Sequence, residues 1–180
     1  QRMTFAAREQ YKILRTNLNF VLPDSVEGRC AVLGVTSSIP GEGKSTTAIN
    51  LGAMLAEDGK RVLLIDADLR LPSIAKKFGF RSAPGLTDYL QGLHPAEHCI
   101  RQAESLERFQ VMPSGTLPPN PSELLSSRKM TRALQTLAEQ YDFIILDLPP
   151  VTAVTDALAV SGMLTGMLLV IREDYTEKAE

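Results

Sequence analysis

Apolar positions along the chain switch between two spacings, and the switches mark its elements. From Ala7, the residues Tyr11, Leu14, Leu18 and Val21 follow at intervals of four and three, the repeat of one helix face, and Pro23 closes that helix. Glu9, Lys12 and Arg15 fall away from this stripe on a charged flank, which by itself reads as a solvated face. After a polar link, Cys30 to Thr36 form an almost continuous apolar run of strand length. A run buried on both faces belongs in the middle of a parallel sheet.

A Gly/Pro-rich loop, Ser37 to Gly43, leads into a helical pattern from Lys44 to Asp58 that Gly59 ends. Further buried strands are expected at Val62 to Ile65, ending in Asp66, at Phe143 to Leu146, ending in Asp147, and at Met167 to Ile171. Between them lie short helical pieces at Leu86 to Leu90 and Pro95 to Ala103, and a strand at Phe109 to Met112. Asn120 and Pro121 read as an N-cap and a first-turn proline opening a helix to about Gln140. Strands alternating with helices predict an α/β fold: one domain, a parallel sheet with right-handed crossovers, helices on both faces.

Composition narrows the function. Of 180 residues, 44% are apolar, enough for a sizeable core and too many for a disordered chain. Nineteen basic against 21 acidic side chains leave a net charge of -2, which gives a nucleic-acid partner no support. Two cysteines, Cys30 and Cys99, make neither a disulfide framework nor a metal cluster; they read as buried small apolar residues in a reducing compartment. No apolar run reaches the roughly 20 residues that span a bilayer, so the expected product is soluble and cytosolic. The chain opens on Gln1 without a methionine, so an upstream piece is expected.

Ser38-Ile39-Pro40-Gly41-Glu42-Gly43-Lys44-Ser45-Thr46, set between a strand and a helix, has the form of a Walker A phosphate-binding loop, with Ser38 where the strict pattern has glycine. Gly41 and Gly43 let backbone N–H groups curl around an anion at a helix N-terminus. Lys44 is the residue to neutralise β and γ phosphates, and the Ser45 hydroxyl to ligate magnesium. Asp66, with Asp68 and Arg70 behind it, and Asp147 stand at the carboxyl ends of strands, where ligands gather in open parallel sheets. Asp147 suits the metal. Asp66 suits either the metal or a base for an acceptor phenol, and Arg70 suits orienting an aspartate or balancing charge. His94 and His98 have the spacing of a metal pair, but Pro95 intervenes and no further ligand completes the set, so they read as surface residues.

These residues resemble the bacterial tyrosine kinases of capsule and exopolysaccharide production over nearly the whole chain. Val35 through Thr46 is similar to their Walker A, Leu63 through Arg70 to their A′ motif, and Ile144 through Pro150 to their Walker B. Pro113 through Leu124 also looks like family sequence. The resemblance implies a P-loop NTPase-type core over 30–180 behind an oligomerisation helix over 1–22. It implies tyrosine autophosphorylation with ATP and Mg2+, with Lys44, Ser45, Asp66, Asp68 and Asp147 carried over position by position. It further implies a transmembrane activator of the polysaccharide co-polymerase type, fused or separate, protein tyrosine substrates, and recruitment to the inner face of the plasma membrane.

Two departures matter. The family's ring-forming Glu-x-x-Arg-x-x-Arg motif is met by Glu9, Lys12 and Arg15, and lysine lacks the bidentate fork of arginine, so a weaker or smaller assembly is expected. The family's C-terminal tyrosine cluster is not matched: the tyrosines here are Tyr11, Tyr89, Tyr141 and Tyr175. Tyr175 directly follows the fourth strand, where the family continues with another helix and strand, so the resemblance implies a chain cut short. Two other readings stand beside the kinase: a partition or division-site ATPase, whose second Walker A lysine would fall at Ile39, and a non-catalytic nucleotide-dependent gate.

Overall fold

The computed structural model describes residues 3–22, 28–104, 106–152 and 160–173. Pro23 and Tyr175 lie outside them. In chain order the elements are α1 (Phe5–Val21), β1 (Ala31–Ser37), α2 (Lys44–Glu57), β2 (Val62–Asp66), α3 (Ile74–Phe78), α4 (Leu86–Leu90), α5 (Ala96–Cys99), β3 (Arg101–Gln102), β4 (Phe109–Met112), α6 (Pro121–Leu125), α7 (Arg128–Ala138), β5 (Phe143–Asp147) and β6 (Gly166–Val170).

The strands form one six-stranded sheet ordered β3-β4-β2-β5-β1-β6. Every pairing is parallel except that of β3 with β4. Neighbouring residues on a strand point to opposite faces, so the continuous apolar runs feed two cores. Val32, Leu63, Ile65, Ile144 and Leu146 pack with residues of α4 to α7, including Leu86, Leu125 and Leu134. Leu33, Val35, Leu64 and Ile145 pack with Leu18 of α1, Ala48, Leu51 and Leu55 of α2, and Ile74 of α3. Each fully buried side chain of this size stabilises the fold by about 1.5–3 kcal/mol. The doubly covered α/β sheet is the architecture the hydrophobic runs predict.

The differences from expectation have local causes. The helix expected to run to Gln140 is two helices, because Ser127 adopts an extended conformation and its hydroxyl accepts from Met130 N–H at 3.2 Å, capping α7 afresh. The helical piece expected to reach Ala103 stops at Cys99. Ile100 is extended, and Arg101–Gln102 pair antiparallel with β4, which corrects the all-parallel sheet. Cys99 is buried as expected, whereas Cys30 is only half-buried. Burial, aided by the Asp142 charge, still pushes the Cys30 thiol up to about 11, so it stays unreactive.

β6 lies at the sheet edge beside β1 and alternates half-buried with exposed positions. Leu168 and Val170 pack inward, while Met167 and Leu169 stand exposed. No helix among the described residues is long and apolar enough to cross a membrane.

Candidate active site

β1 delivers the chain into the loop at Ser37, and α2 carries it away from Lys44. Gly43 is the hinge between them: its φ is +98°, and a Cβ there would meet nothing within 4 Å, so backbone conformation rather than space calls for glycine. β2 and β5 end beside this loop, with Asp66 and Asp147 paired in register. Three segments distant along the chain therefore meet at the carboxyl edge of the sheet.

Lys44 Nζ lies 2.8 Å from Asp68 Oδ2 and 3.3 Å from Asp147 Oδ1. Burial alone would lower the lysine's pKa, but these two carboxylates outweigh it and hold the ammonium above its ordinary range. Asp66 Oδ2 accepts from the N–H groups of Ser73 and Ile74, at 3.0 and 2.9 Å, and so caps α3. The Ser73 hydroxyl donates to Ser45 Oγ at 3.0 Å. Burial, then the Asp147 charge, pushes the Asp66 carboxyl up to about 7. Burial also raises Asp147, against the opposing pull of Lys44.

Two buried side-chain oxygens in the described structure have no hydrogen-bond partner: Asp66 Oδ1 and Asp147 Oδ2. A buried orphan acceptor is costly, and two of them at one sheet edge beside the Ser45 hydroxyl fit a hard divalent cation. Among the described residues no group of three His, Cys, Asp or Glu forms a closed metal cage. Mg2+ asks for none, since one or two carboxylates with phosphate, hydroxyl and water oxygens complete its shell. Ser45, Asp147 and Asp66 are the residues that would hold it.

The cavity over the loop measures about 390 Å3 and is walled by Gly41, Lys44, Thr46, Asp68, Leu71 and Pro150 among others. Of the sequence-predicted site, Lys44, Ser45, Asp66, Asp68 and Asp147 thus come together. Arg70 lines the same cavity, is exposed, and donates from its guanidinium to Ser122 Oγ of α6 at 3.2 Å. Pro40 and Gly41 are exposed at the loop tip; Ser38 and Ile39 are half-buried.

Sequence reasoning missed three contributors. Thr36 Oγ1, buried, donates to the Pro149 carbonyl at 2.7 Å and ties the Walker A strand to the loop after β5. Thr152 Oγ1 donates to the Ser38 carbonyl. Ser73 joins Asp66 to Ser45. Glu42, expected within the nucleotide-binding loop, is a buried acceptor there. A buried polar residue inside an apolar strand was the available signal for Thr36; the others depend on contacts that no local pattern encodes.

Away from this edge, Glu9 pairs with Lys12 at 2.7 Å, and Arg15 with Asp58 of the α2 C-cap at 3.0 Å. Tyr141 is buried, donating to Gln110 Oε1 at 2.5 Å, while Tyr11 and Tyr89 are half-buried. His94 and His98 are exposed.

Comparison with known proteins supplies the lineage. A family model described as an AAA domain matches residues 31–176. The tyrosine-protein kinase YwqD of Bacillus subtilis is 42% identical over 172 residues, covering 96% of this chain and 71% of its own. The tyrosine-protein kinase wzc of Salmonella typhi is 36% identical over 169 residues, but this chain spans only 23% of its length. Among solved structures, the kinase domain of Escherichia coli tyrosine kinase ETK superposes with a TM-score of 0.88 at 34% identity, over 95% of this chain and 66% of that one. The septum site-determining protein MinD of Pyrococcus horikoshii, complexed with Mg-ADP, reaches 0.65 at 26% identity over 78% of this chain and 57% of that one. The architecture, the converging Walker residues and these likenesses agree: the chain belongs to the bacterial tyrosine-protein kinase family, on the P-loop fold that family shares with MinD.

Proposed function

We propose that this chain binds MgATP and transfers its γ-phosphoryl group to tyrosine hydroxyls, acting on other copies of itself in trans, in the control of capsular or exopolysaccharide synthesis. The observation that carries the proposal is the gathering of Lys44, Asp66, Asp68 and Asp147, with two orphaned carboxylate oxygens, around a helix N-terminus.

Lys44 is held by Asp68 and Asp147 until a polyphosphate enters; it then turns its charge to the β and γ oxygens, the role that P-loop chemistry assigns this residue. Bound Mg2+ would supply charge neutralisation at those oxygens. Asp66, raised to about 7, is poised as a general base. As the phenolic oxygen bonds to phosphorus and the bond to the leaving β-phosphate oxygen breaks, the phenolic proton passes to the Asp66 carboxylate. Its orphaned Oδ1, in register with Asp147, also fits it as an ion ligand. The Asp66→Asn variant separates the roles: transfer lost with metal-dependent binding kept marks the base, and loss of both marks the ligand.

An activator of the transmembrane polysaccharide co-polymerase type and placement at the inner face of the plasma membrane complete the proposal. The polysaccharide setting is supported by a relative named as a putative tyrosine-protein kinase in the cps region of Klebsiella pneumoniae, of which this chain spans 23%. Self-association through α1 is expected to be weak, because Lys12 replaces arginine and already pairs with Glu9.

The test is incubation with Mg2+ and γ-labelled ATP, an activator peptide and an exogenous tyrosine peptide. Label on tyrosine supports the kinase. Phosphate release alone would assign hydrolysis, and neither product a gate.

A further inference from the structure

We infer that Glu42 is a positioning residue that ties the shape of the phosphate-binding loop to the chain leaving β6. Glu42 sits inside the loop and is only 6% exposed. Its two oxygens serve two backbone donors, one three residues away and one 130 residues away along the chain. Oε2 accepts from Ile39 N–H at 2.9 Å, on the ascending arm of the same loop. Oε1 accepts from Arg172 N–H at 3.2 Å, just past the end of β6.

Phosphate binding gives no reason for an anion here. A carboxylate beside a polyanion site opposes the ligand, and burying it adds desolvation cost. Its geometry supplies the reason. Two N–H donors need two acceptors on one short side chain, and only a carboxylate offers both. Glutamine of the same shape would offer one acceptor and set an amide N–H against the other donor.

The ascending arm is further pinned by the Ser37 hydroxyl, which donates to the Ile39 carbonyl at 2.9 Å. β6 is in turn registered on β1 up to the pair Ser37 and Val170. Glu42 thus closes a circuit from β1 through the loop to the segment after β6 and back. The loop holds its nucleotide-ready shape only while that segment is docked, so displacement of the chain beyond Val170 weakens nucleotide binding without touching the ligand.

The inference rests on the nucleotide reading above, and a fluorescent MgADP titration separates the two. Wild-type protein that takes up no MgADP would remove the nucleotide reading itself. With wild-type uptake present, Glu42→Ala is expected to weaken binding about tenfold, and the isosteric Glu42→Gln about threefold, which keeps the measurement available should the alanine variant not fold. Arg172→Pro removes the N–H along with the side chain, whereas Arg172→Ala removes only the side chain. The proline variant is expected to bind several-fold more weakly than the alanine variant in the wild-type background, and the two to be equal once Glu42 is alanine. Wild-type affinity in both Glu42 variants, or equal affinity of the two Arg172 variants with Glu42 present, would overturn it.

Discussion

Asp66 and Asp147 face each other in register at the ends of adjacent parallel strands, and each buries one carboxylate oxygen that has no hydrogen-bond partner. Two desolvated like charges at one sheet edge are unfavourable in the metal-free protein, and they explain why burial and mutual repulsion raise the Asp66 carboxyl to about 7.

This sets the direction of a pH dependence. The folded state keeps a proton that the unfolded chain gives up near 3.8, so the destabilisation is absent below that pH and complete above about 7. In EDTA, the melting temperature is expected to carry a component that falls as pH rises across this window. Asp66→Asn should remove it, and Mg2+ should stabilise the wild type more at pH 8 than at pH 5. Parallel melting curves for the wild type and Asp66→Asn would count against the assignment.

Gly85 opens α4 against the segment after β4. A Cβ there would lie 2.2 Å from the Pro113 carbonyl oxygen and 2.4 Å from Gly115 N, both backbone atoms that cannot rotate aside. Gly85→Ala is expected to cost more than about 2 kcal/mol in urea denaturation.

Thr36→Val keeps the shape of a buried strand residue but leaves the Pro149 carbonyl without its 2.7 Å donor. The expected loss is about 1–3 kcal/mol of stability, with weaker nucleotide binding because the loop after β5 is no longer tied to β1. Chemical denaturation and nucleotide titration on the same variant check both.

Arg15 bridges α1 to Asp58 with its side chain 24% exposed and its partner 44% exposed. Arg15→Ala is accordingly expected to change monomer stability by less than about 1 kcal/mol. Lys12→Arg should raise the mass measured by light scattering if α1 mediates self-association, since it restores a forked donor. An unchanged mass would place the assembly surface elsewhere.

The site was largely legible because its signals are local: a Gly-rich turn between a buried run and a helix, and aspartates ending buried runs. What escaped depends on distant partners. α3 is only five residues long, and although Ser73 stands at its N-cap, its hydroxyl makes no cap bond and the Ser73 and Ile74 N–H groups are satisfied by distant Asp66 instead. β3 exists only because β4 offers an edge to pair with. Ser126 and Ser127 break the helix after Leu125 although apolar spacing continues across them, a case of side-chain capping overriding periodicity. Glu42 was legible as a member of the phosphate-binding loop, but its tie to Arg172 was not, because that donor comes from 130 residues further along the chain.

The central claim is that Lys44, Ser45, Asp66 and Asp147 surround one metal-bound triphosphate. Calorimetric titration of the purified chain with a non-hydrolysable ATP analogue, with Mg2+ and with EDTA, tests it most directly. The predicted result is one nucleotide per chain, bound more tightly with Mg2+, with affinity lost in Lys44→Met and the Mg2+ dependence lost in Ser45→Ala and Asp147→Asn. A wild-type chain that takes up no nucleotide, or a Lys44→Met variant that binds as the wild type does, would contradict it.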